Sequence, residues 1–386
     1  MAGRGKSKGR VMVAMSGGVD SSVAAALLLA EGYECIGVTM QLWPEDLPRE
    51  HESGCCSISA VEDARRVANK LGIPYYVLNF AHSFVEDVID RFADEYLRGR
   101  TPNPCIICNE KVKFGTFLQK ALELECDYVA TGHYAIVEWD ETSGRYLLKR
   151  GKDPQKDQSY TLYGLTQEQL ARTLFPLGPY RKEETRKIAR ELGLITAAKP
   201  DSQEICFVPG GDYRAFLERY RPESKRPGPI IDLEGNVLGQ HRGIAFYTIG
   251  QRKGLGITHP TPLYVVAIDE ETNAVVVGPK EAVEGFSLLA EPVNLIAVER
   301  LEGPRRVSCK IRYRVQDAPA TIVPGAGGAV ITHFDEPQAA ITPGQSVVWY
   351  DGDVVVGGGI IQRDLKSDER PVPKPKLSVN GVPSAR

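Results

Sequence analysis

No stretch of about 18 consecutive apolar residues occurs in the 386-residue chain, so a membrane-spanning helix is not expected. A basic opening followed by VMVAM imitates a secretory signal. The apolar run stops after five residues at Ser16-Gly17-Gly18, and Asp20 follows, so the expected location is the cytoplasm. Cysteine is scarce: eight thiols are too few for a disulfide framework in a chain this long, and in a reducing compartment they are left for chemistry. No histidine pair suited to acid–base work and no metalloprotease motif occurs, and no lysine follows the glycines as GxxxxGK[ST] requires. A large excess of positive charge is also missing. Lys plus Arg is 47 against 50 Asp plus Glu, a net charge of −3, which argues against a uniformly basic nucleic-acid binder.

That average hides a gradient. Residues 1–10 carry +4 and residues 366–386 carry +3, which leaves −10 for the body between them. Both ends are rich in Gly, Ser, Pro and Lys and are expected to be disordered tails, because they cannot bury enough apolar area to offset the entropy of ordering. The body has the length for two or three hydrophobic cores.

From residue 11 to about 205, short apolar runs (Val11–Met15, Cys35–Met40, Tyr75–Leu78, Tyr128–Thr131) alternate with helical patterns at Ser21–Glu31, Ser59–Leu71, His82–Leu97 and Phe114–Leu124. Alternation of this kind predicts a doubly wound α/β domain with a mostly parallel sheet. Tyr134–Trp139 and Arg145–Arg150 read as a hairpin added antiparallel at the edge of that sheet. After a helix at Tyr213–Tyr220, turns at Glu234-Gly235-Asn236 and Glu271-Thr272-Asn273 mark hairpins. From about 290 only short strands remain (Val307–Val315, Gly328–Thr332, Ser346–Tyr350, Val354–Ile361), as in a small β-barrel. The expected layout is a catalytic α/β domain over 11–208, a mixed connector domain over 209–285 and a barrel over 286–365. No internal repeat is visible.

The first strand runs into Ser16-Gly17-Gly18-Val19-Asp20-Ser21-Ser22 and then directly into an Ala/Leu-rich helix. Two glycines allow a tight turn whose N–H groups approach an oxyanion, and Ser21 and Ser22 add hydroxyls at the positive helix end. In this strand-to-helix context SGGxDS resembles the pyrophosphate loop of ATP pyrophosphatases. Asp20 beside phosphates calls for a bridging Mg²⁺, with helix capping by Asp20 and Ser21 as an additional local role. Met40 ends the second strand and Gly132 follows the fourth, at the strand ends where doubly wound folds bind ligands.

Thr101-Pro102-Asn103-Pro104-Cys105-Ile106-Ile107-Cys108-Asn109 reads as a stiff loop carrying a C-x-x-C pair, and a third thiol, Cys206, lies in Asp201-Ser202-Gln203-Glu204-Ile205-Cys206. Structural zinc, a redox pair and buried thiols all suit a C-x-x-C taken alone. Cys55-Cys56 reads as loop thiols near the nucleotide, and Cys35, Cys126 and Cys309 as core residues. Arg305, Arg306, Lys310, Arg312 and Arg314 occur without an intervening acid. On a strand, Lys310, Arg312 and Arg314 would form a cationic stripe above Ile311, Tyr313 and Val315. Gly250-Gln251-Arg252-Lys253-Gly254-Leu255-Gly256 reads as a phosphate-binding turn. Arg181, Lys182, Arg186, Lys187 and Arg190 interleave with Glu183, Glu184 and Glu191 and read as a salt-bridged helix surface.

AMSGGVDSSVAA, GRTPNPCIICNEKVKFG, ATGHYA, KDQSYTLYGL, KPDSQEICF and TIGQRKGLGI together resemble the MnmA family of tRNA-specific 2-thiouridylases and cover the chain from Ala14 to the C-terminal barrel. The resemblance implies adenylation of O2 of the tRNA wobble uridine (position 34) followed by sulfur transfer to C2. It implies ATP at Ala14, Met15, Ser16, Gly17, Gly18, Val19, Asp20, Ser21, Met40 and Gly132, with Mg²⁺ on Asp20. Catalysis falls to Asp20, to Cys108 as nucleophile or resolving thiol, and to Cys206 as persulfide carrier. Asn103, Pro104 and Cys105 would meet the base, and His133, Lys156, Asp157, Gln158, Arg312, Tyr313 and Gln345 would touch tRNA. A sulfur-donor relay protein is the implied partner, no membrane is involved, and a monomer is expected.

The family pattern has Asp where this chain has Cys105. Three thiols, Cys105, Cys108 and Cys206, are therefore available to a [4Fe–4S] cluster whose open iron would carry sulfide, and the residues leave this route and the persulfide route both open. Two other functions stand beside this reading: an amidotransferase-type ATP pyrophosphatase acting on a small molecule, and a non-catalytic RNA-binding protein.

Overall fold

The structure, a computed structural model, describes residues 7–43, 57–201, 205–365 and 373–375. Cys55-Cys56 and Ser202-Gln203-Glu204, together with most of the two expected tails, lie outside the described residues. Of residues 1–10, Arg10 opens the first strand.

Four strands, β1 (Arg10–Ala14), β2 (Glu34–Gln41), β3 (Tyr75–Asn79) and β4 (Tyr128–Ala130), form a parallel sheet. Next in the chain come the hairpin strands β5 (Ala135–Asp140) and β6 (Arg145–Arg150). The two-residue β7 (Thr173–Leu174) completes the parallel sheet in the order β3-β2-β1-β4-β7. β1 is central, and its side chains alternate between two cores. Val11 and Val13 pack with Val23 and Ala64, and Met12 and Ala14 pack with Phe84 and Phe117. That alternation is the period-2 pleat of a strand buried on both faces.

The helices are α1 (Val19–Ala30), α2 (Ile58–Leu71), α3 over 81–97, α4 over 104–123, α5 (Gln167–Ala171), α6 (Lys182–Glu191) and α7 (Tyr213–Tyr220). α3 and α4 widen to π-helical geometry at Val85–Asp90 and Cys108–Thr116. α4 begins ten residues earlier than its apolar period predicts. Asn103 Oδ1 accepts the Cys105 N–H at 3.1 Å and Pro104 occupies the first helical position, so the expected stiff loop becomes helix from Pro104 onward.

The connector holds β8 (Gly228–Ile231), β9 (Val237–His241), β10 (Tyr264–Asp269) and β11 (Ala274–Gly278), ordered β10-β11-β8-β9. The last six strands are β12 (Glu284–Leu295), β13 (Arg305–Lys310), β14 (Ala318–Pro324), β15 (Val330–Ala339), β16 (Ser346–Asp351) and β17 (Val354–Asp364). β12 pairs with both β15 and β17, which closes them into a barrel around Trp349.

Two expectations fail here. The β5–β6 hairpin does not extend the parallel sheet, whose edge beyond β4 is taken by β7. Instead it joins the barrel through β6 and β17, with Lys149 opposite Val354. Strand β13 ends at Lys310, so Arg312 and Arg314 do not continue a strand face and the cationic stripe does not form. The cations of β13 also find acids from other strands or from the loop before β14. Arg305 meets Asp351 at 2.9 Å, Arg306 meets Asp335 at 2.7 Å and Lys310 lies 3.9 Å from Asp317.

Candidate active site

The chain leaves β1 for β2 on one side and reaches β4 on the other, so the crevice beside the C-terminal end of β1 is the switch point of the sheet. A cleft of ≈ 1260 Å³ opens there and extends to the barrel. Most of the expected site residues share it. Ala14, Met15, Ser16, Gly18, Val19, Asp20, Ser21, Met40 and Gly132 line one end, and Asn103, Cys105, His133 and Tyr313 stand with Lys156, Asp157 and Gln158 elsewhere on its wall. Gly17, Pro104, Cys108, Cys206, Arg312 and Gln345 do not line it.

The loop after β1 is shaped by close approaches. Gly17 has φ +69°, and a Cβ there would lie 2.2 Å from the Ala60 carbonyl oxygen of α2. At Gly132 a Cβ would lie 2.7 Å from the Ser21 nitrogen, so the backbone after β4 rests on the start of α1. Ser21 Oγ accepts the Ser16 N–H at 3.2 Å, and Ser22 Oγ donates to the Gly18 carbonyl at 2.7 Å. The N-cap of α1 is Gly18 and no side chain caps the helix, so Asp20 and Ser21 are not caps. Uncapped N–H groups and the helix dipole leave this end suited to an anion.

Asp20 is held by groups that local sequence does not connect. Lys182 Nζ lies 2.7 Å from each of its carboxylate oxygens, and Tyr134 Oη donates to one of them at 2.8 Å. Lys182 also reaches Asp201 at 2.8 Å, and Asp201 receives Lys156 and Arg186 at 2.7 Å each. Partial burial pushes the Asp201 carboxyl up, but hydrogen bonds and charge from Lys182 and Lys156 outweigh it and hold the group at about 2. Burial, with the Asp20 charge behind it, raises the Tyr134 phenol well above its usual value. Lys182 and Arg186 thus turn inward from α6, a correction to its reading as a surface helix. Lys187 and Glu191 remain on its outer face, 3.8 Å apart. Only the helical period on α6, which places Lys182 and Arg186 on one side, hinted at this.

The three thiols occupy different surroundings. Cys105 is exposed to the cleft near Lys113, while Cys108, one turn along α4, is 7% exposed and belongs to the core of Phe114 and Phe117. Enclosure raises the Cys105 thiol pKa and the Lys113 charge draws it partly back. Cys206 is exposed, beside Ile205, which lines the cleft. Among the described residues no three His, Cys, Asp or Glu side chains gather as a metal-binding group. A cluster held by Cys105, Cys108 and Cys206 is therefore not shown. A single carboxylate at the phosphate end does fit Mg²⁺, which binds through one or two carboxylates together with substrate phosphates. Cys35, Cys126 and Cys309 are core residues, as their apolar surroundings in the chain suggest.

Several expected RNA contacts are spent on the protein itself. Asp157 is buried and accepts the Gly151 N–H, the Ser159 N–H and the Ser159 hydroxyl. Gln158 Oε1 accepts the Tyr134 N–H at 3.0 Å, and Lys156 pairs with Asp201. His133 packs between Phe114 and Phe175 with Nδ1 2.6 Å from Thr131 Oγ1, and burial pushes its imidazole well below its ordinary pKa. Arg312 is bonded to the Ala340 carbonyl, and Gln345 Nε2 donates to the Thr101 carbonyl at 2.8 Å. In the 250–256 turn Arg252 and Lys253 are exposed, and Gly250 packs on Ala340 of the barrel.

Three family models match in succession: a tRNA methyl transferase HUP domain over residues 9–210, a tRNA methyl transferase PRC-barrel domain over 214–279 and an aminomethyltransferase beta-barrel domain over 286–361. The tRNA-specific 2-thiouridylase MnmA of Heliobacterium modesticaldum is 59% identical over 379 residues, 97% of this chain and 98% of that protein. The enzyme of the same name from Moorella thermoacetica is 60% identical over 352 residues, 91% of this chain and 99% of that protein. That of Clostridioides difficile is 56% identical over 356 residues, 92% and 99% respectively.

Proposed function

The chain belongs to the MnmA family of tRNA-specific 2-thiouridylases, and from that premise we propose that it converts the wobble uridine of tRNA to 2-thiouridine, consuming ATP and releasing AMP and pyrophosphate. One observation carries the reading: a single cleft joins the anion-shaped loop of Ser16–Ser21 to the C-x-x-C helix. The phosphates of ATP lie on the loop and the α1 N–H groups, with adenosine toward Met40 and Gly132. Asp20 would hold Mg²⁺, which would supply charge neutralisation on the departing pyrophosphate. Lys182 is a protein cation at the same place.

Uridine O2 is a poor leaving group, and adenylation lets it depart as AMP. The terminal sulfur of a Cys206 persulfide then attacks C2, because a persulfide anion is nucleophilic at neutral pH where a hydroxyl is not. A C-x-x-C thiol attacks Cys206 Sγ. Its S–S bond breaks, the electron pair stays on the uridine sulfur, and a protein disulfide forms that external reductant reopens. A sulfur-relay protein loads Cys206, the barrel and connector hold the tRNA, and the enzyme acts as a cytoplasmic monomer.

The test is pyrophosphate release with ATP, Mg²⁺ and tRNA. Release that depends on unmodified tRNA supports this function. Release without tRNA favours a small-molecule synthetase, and no release favours a non-catalytic RNA-binding protein.

A further inference from the structure

Among the thiols, accessibility runs opposite to the order the family resemblance implies. Cys105 opens into the cleft, whereas Cys108 is buried in the apolar core of the α/β domain. Cys206 is exposed, and both Ile205 and Asp201 before it line the cleft that holds Cys105. A sulfur atom arriving from Cys206 at a base in that cleft therefore meets Cys105 first. Local geometry keeps the thiol in place. Its N–H is bound by Asn103 Oδ1 and Pro104 precedes it in the first helical turn, so it cannot retreat without unwinding the start of α4. Enclosure raises its thiol pKa, and the Lys113 charge opposes that rise.

We infer that Cys105 is the resolving thiol in this chain and that Cys108 is the buried thiol to which it passes the disulfide; this rests on the thiolation reading above. After the persulfide has displaced AMP, the base is linked as Cys206 Sγ–S–C2. The Cys105 thiolate attacks Cys206 Sγ. The Sγ–S bond breaks with its electron pair going to the uridine sulfur, which becomes the thiocarbonyl, and Cys105 and Cys206 are left oxidised as a disulfide. The proton lost from the Cys105 thiol is balanced by the one that N3 of the base takes up. Cys108 lies three residues along the same helix, where side chains are neighbours. Its thiolate then attacks Cys105 Sγ, so that Cys206 leaves as a thiolate, ready for reloading. A dithiol reductant supplies the two electrons that reopen Cys105–Cys108.

This relay gives Cys105 a task that an aspartate at the same position cannot perform. It also gives the buried thiol a task, since a Cys105–Cys108 disulfide frees Cys206 for reloading. The C-x-x-C pair becomes the electron donor of each turnover, ending it as the disulfide that the reductant reopens, and Cys206 is free between turnovers to meet its donor.

The experiment is one turnover of the full-length protein with ATP, Mg²⁺ and unmodified tRNA. Cys206 is first loaded from inorganic polysulfide, excess sulfur is removed and no reductant is added. Quenching with a thiol alkylator and peptide mass spectrometry then locate the disulfide. Wild type is expected to show Cys105–Cys108 with Cys206 alkylated, and Cys108→Ser to stop at Cys105–Cys206. Cys105→Ser is expected to lower the 2-thiouridine yield at least about tenfold and to retain tRNA on Cys206 through sulfur. A Cys108–Cys206 disulfide with undiminished yield in Cys105→Ser overturns the relay. So does iron with labile sulfide in anaerobically prepared protein whose removal stops transfer. Wild type that releases no pyrophosphate overturns the thiolation reading itself, a separate result.

Discussion

Lys182 Nζ lies 2.7 Å from both carboxylate oxygens of Asp20, across 162 residues of chain, at the mouth of the anion-shaped loop. The pair couples α6 to α1 and brings a buried cation to the place where the proposed function puts phosphate charge. Lys182→Ala is expected to lower tRNA-dependent pyrophosphate release by about 10²-fold, mainly in kcat, because a preoriented charge on the leaving group is lost. Steady-state release at saturating ATP, with circular dichroism to confirm folding, measures it. An unchanged kcat would remove Lys182 from the site.

Gln345 is expected to act through Thr101 and not through RNA. Its Nε2 donates to the Thr101 carbonyl at 2.8 Å, the Thr101 N–H donates to the Pro343 carbonyl at 2.9 Å, and Thr101 Oγ1 meets Thr248 Oγ1 at 3.4 Å. Barrel and connector therefore converge on the residue that leads into the C-x-x-C helix. Gln345→Ala should leave tRNA affinity within about twofold while slowing thiolation about tenfold, since small misplacements of reacting groups are costly. Filter binding alongside single-turnover kinetics separates the two effects, and a matching loss of affinity would restore Gln345 to the RNA surface.

Asp157 is a structural carboxylate. Replacing it with Ala strands two backbone N–H groups and takes one of two partners from the Ser159 hydroxyl, and Arg150, 3.6 Å away, loses a counter-charge. The expected cost is about 2–4 kcal/mol of stability. Chemical denaturation reads it directly. A stable variant with weakened tRNA binding would support the opposite role.

Acid should loosen the Asp201 hub. The folded value of about 2 lies below the ordinary 3.8. Its contribution to stability is therefore complete above the ordinary value and disappears as pH falls from there through about 2. Asp201→Asn is expected to flatten the acid limb of the stability curve in that window and to lower stability at neutral pH. Melting temperatures across the window, compared with wild type, are the measurement.

The nucleotide end of the site was legible because its chemistry is local. Strand, paired glycines, serines and helix occupy consecutive residues, and the physical demand for tight backbone and uncapped N–H groups is met within one turn. The parallel sheet was legible for the same reason, apart from β7, whose two residues carry no period. Cys105 and Cys108 were recognised as a pair, but their unequal exposure was not. Asn103 and Pro104 start a helix at that point, and a helix sends residues three apart to the same side only approximately, so packing decides which one reaches solvent.

The charge pattern marks the limit. Read along the chain, residues 305–314 are a basic run and α6 is a mixed surface. In space Asp335, Asp351 and Asp317 reach the first from other strands or beyond a turn, and Lys182 leaves the second for Asp20. The sequence by itself determined the fold class, the anion loop and the family, because each depends on contiguous residues of defined spacing. Only the tertiary structure decided which cations serve the site and which thiol faces it, because electrostatic pairing and burial depend on distance through space, which chain separation does not measure.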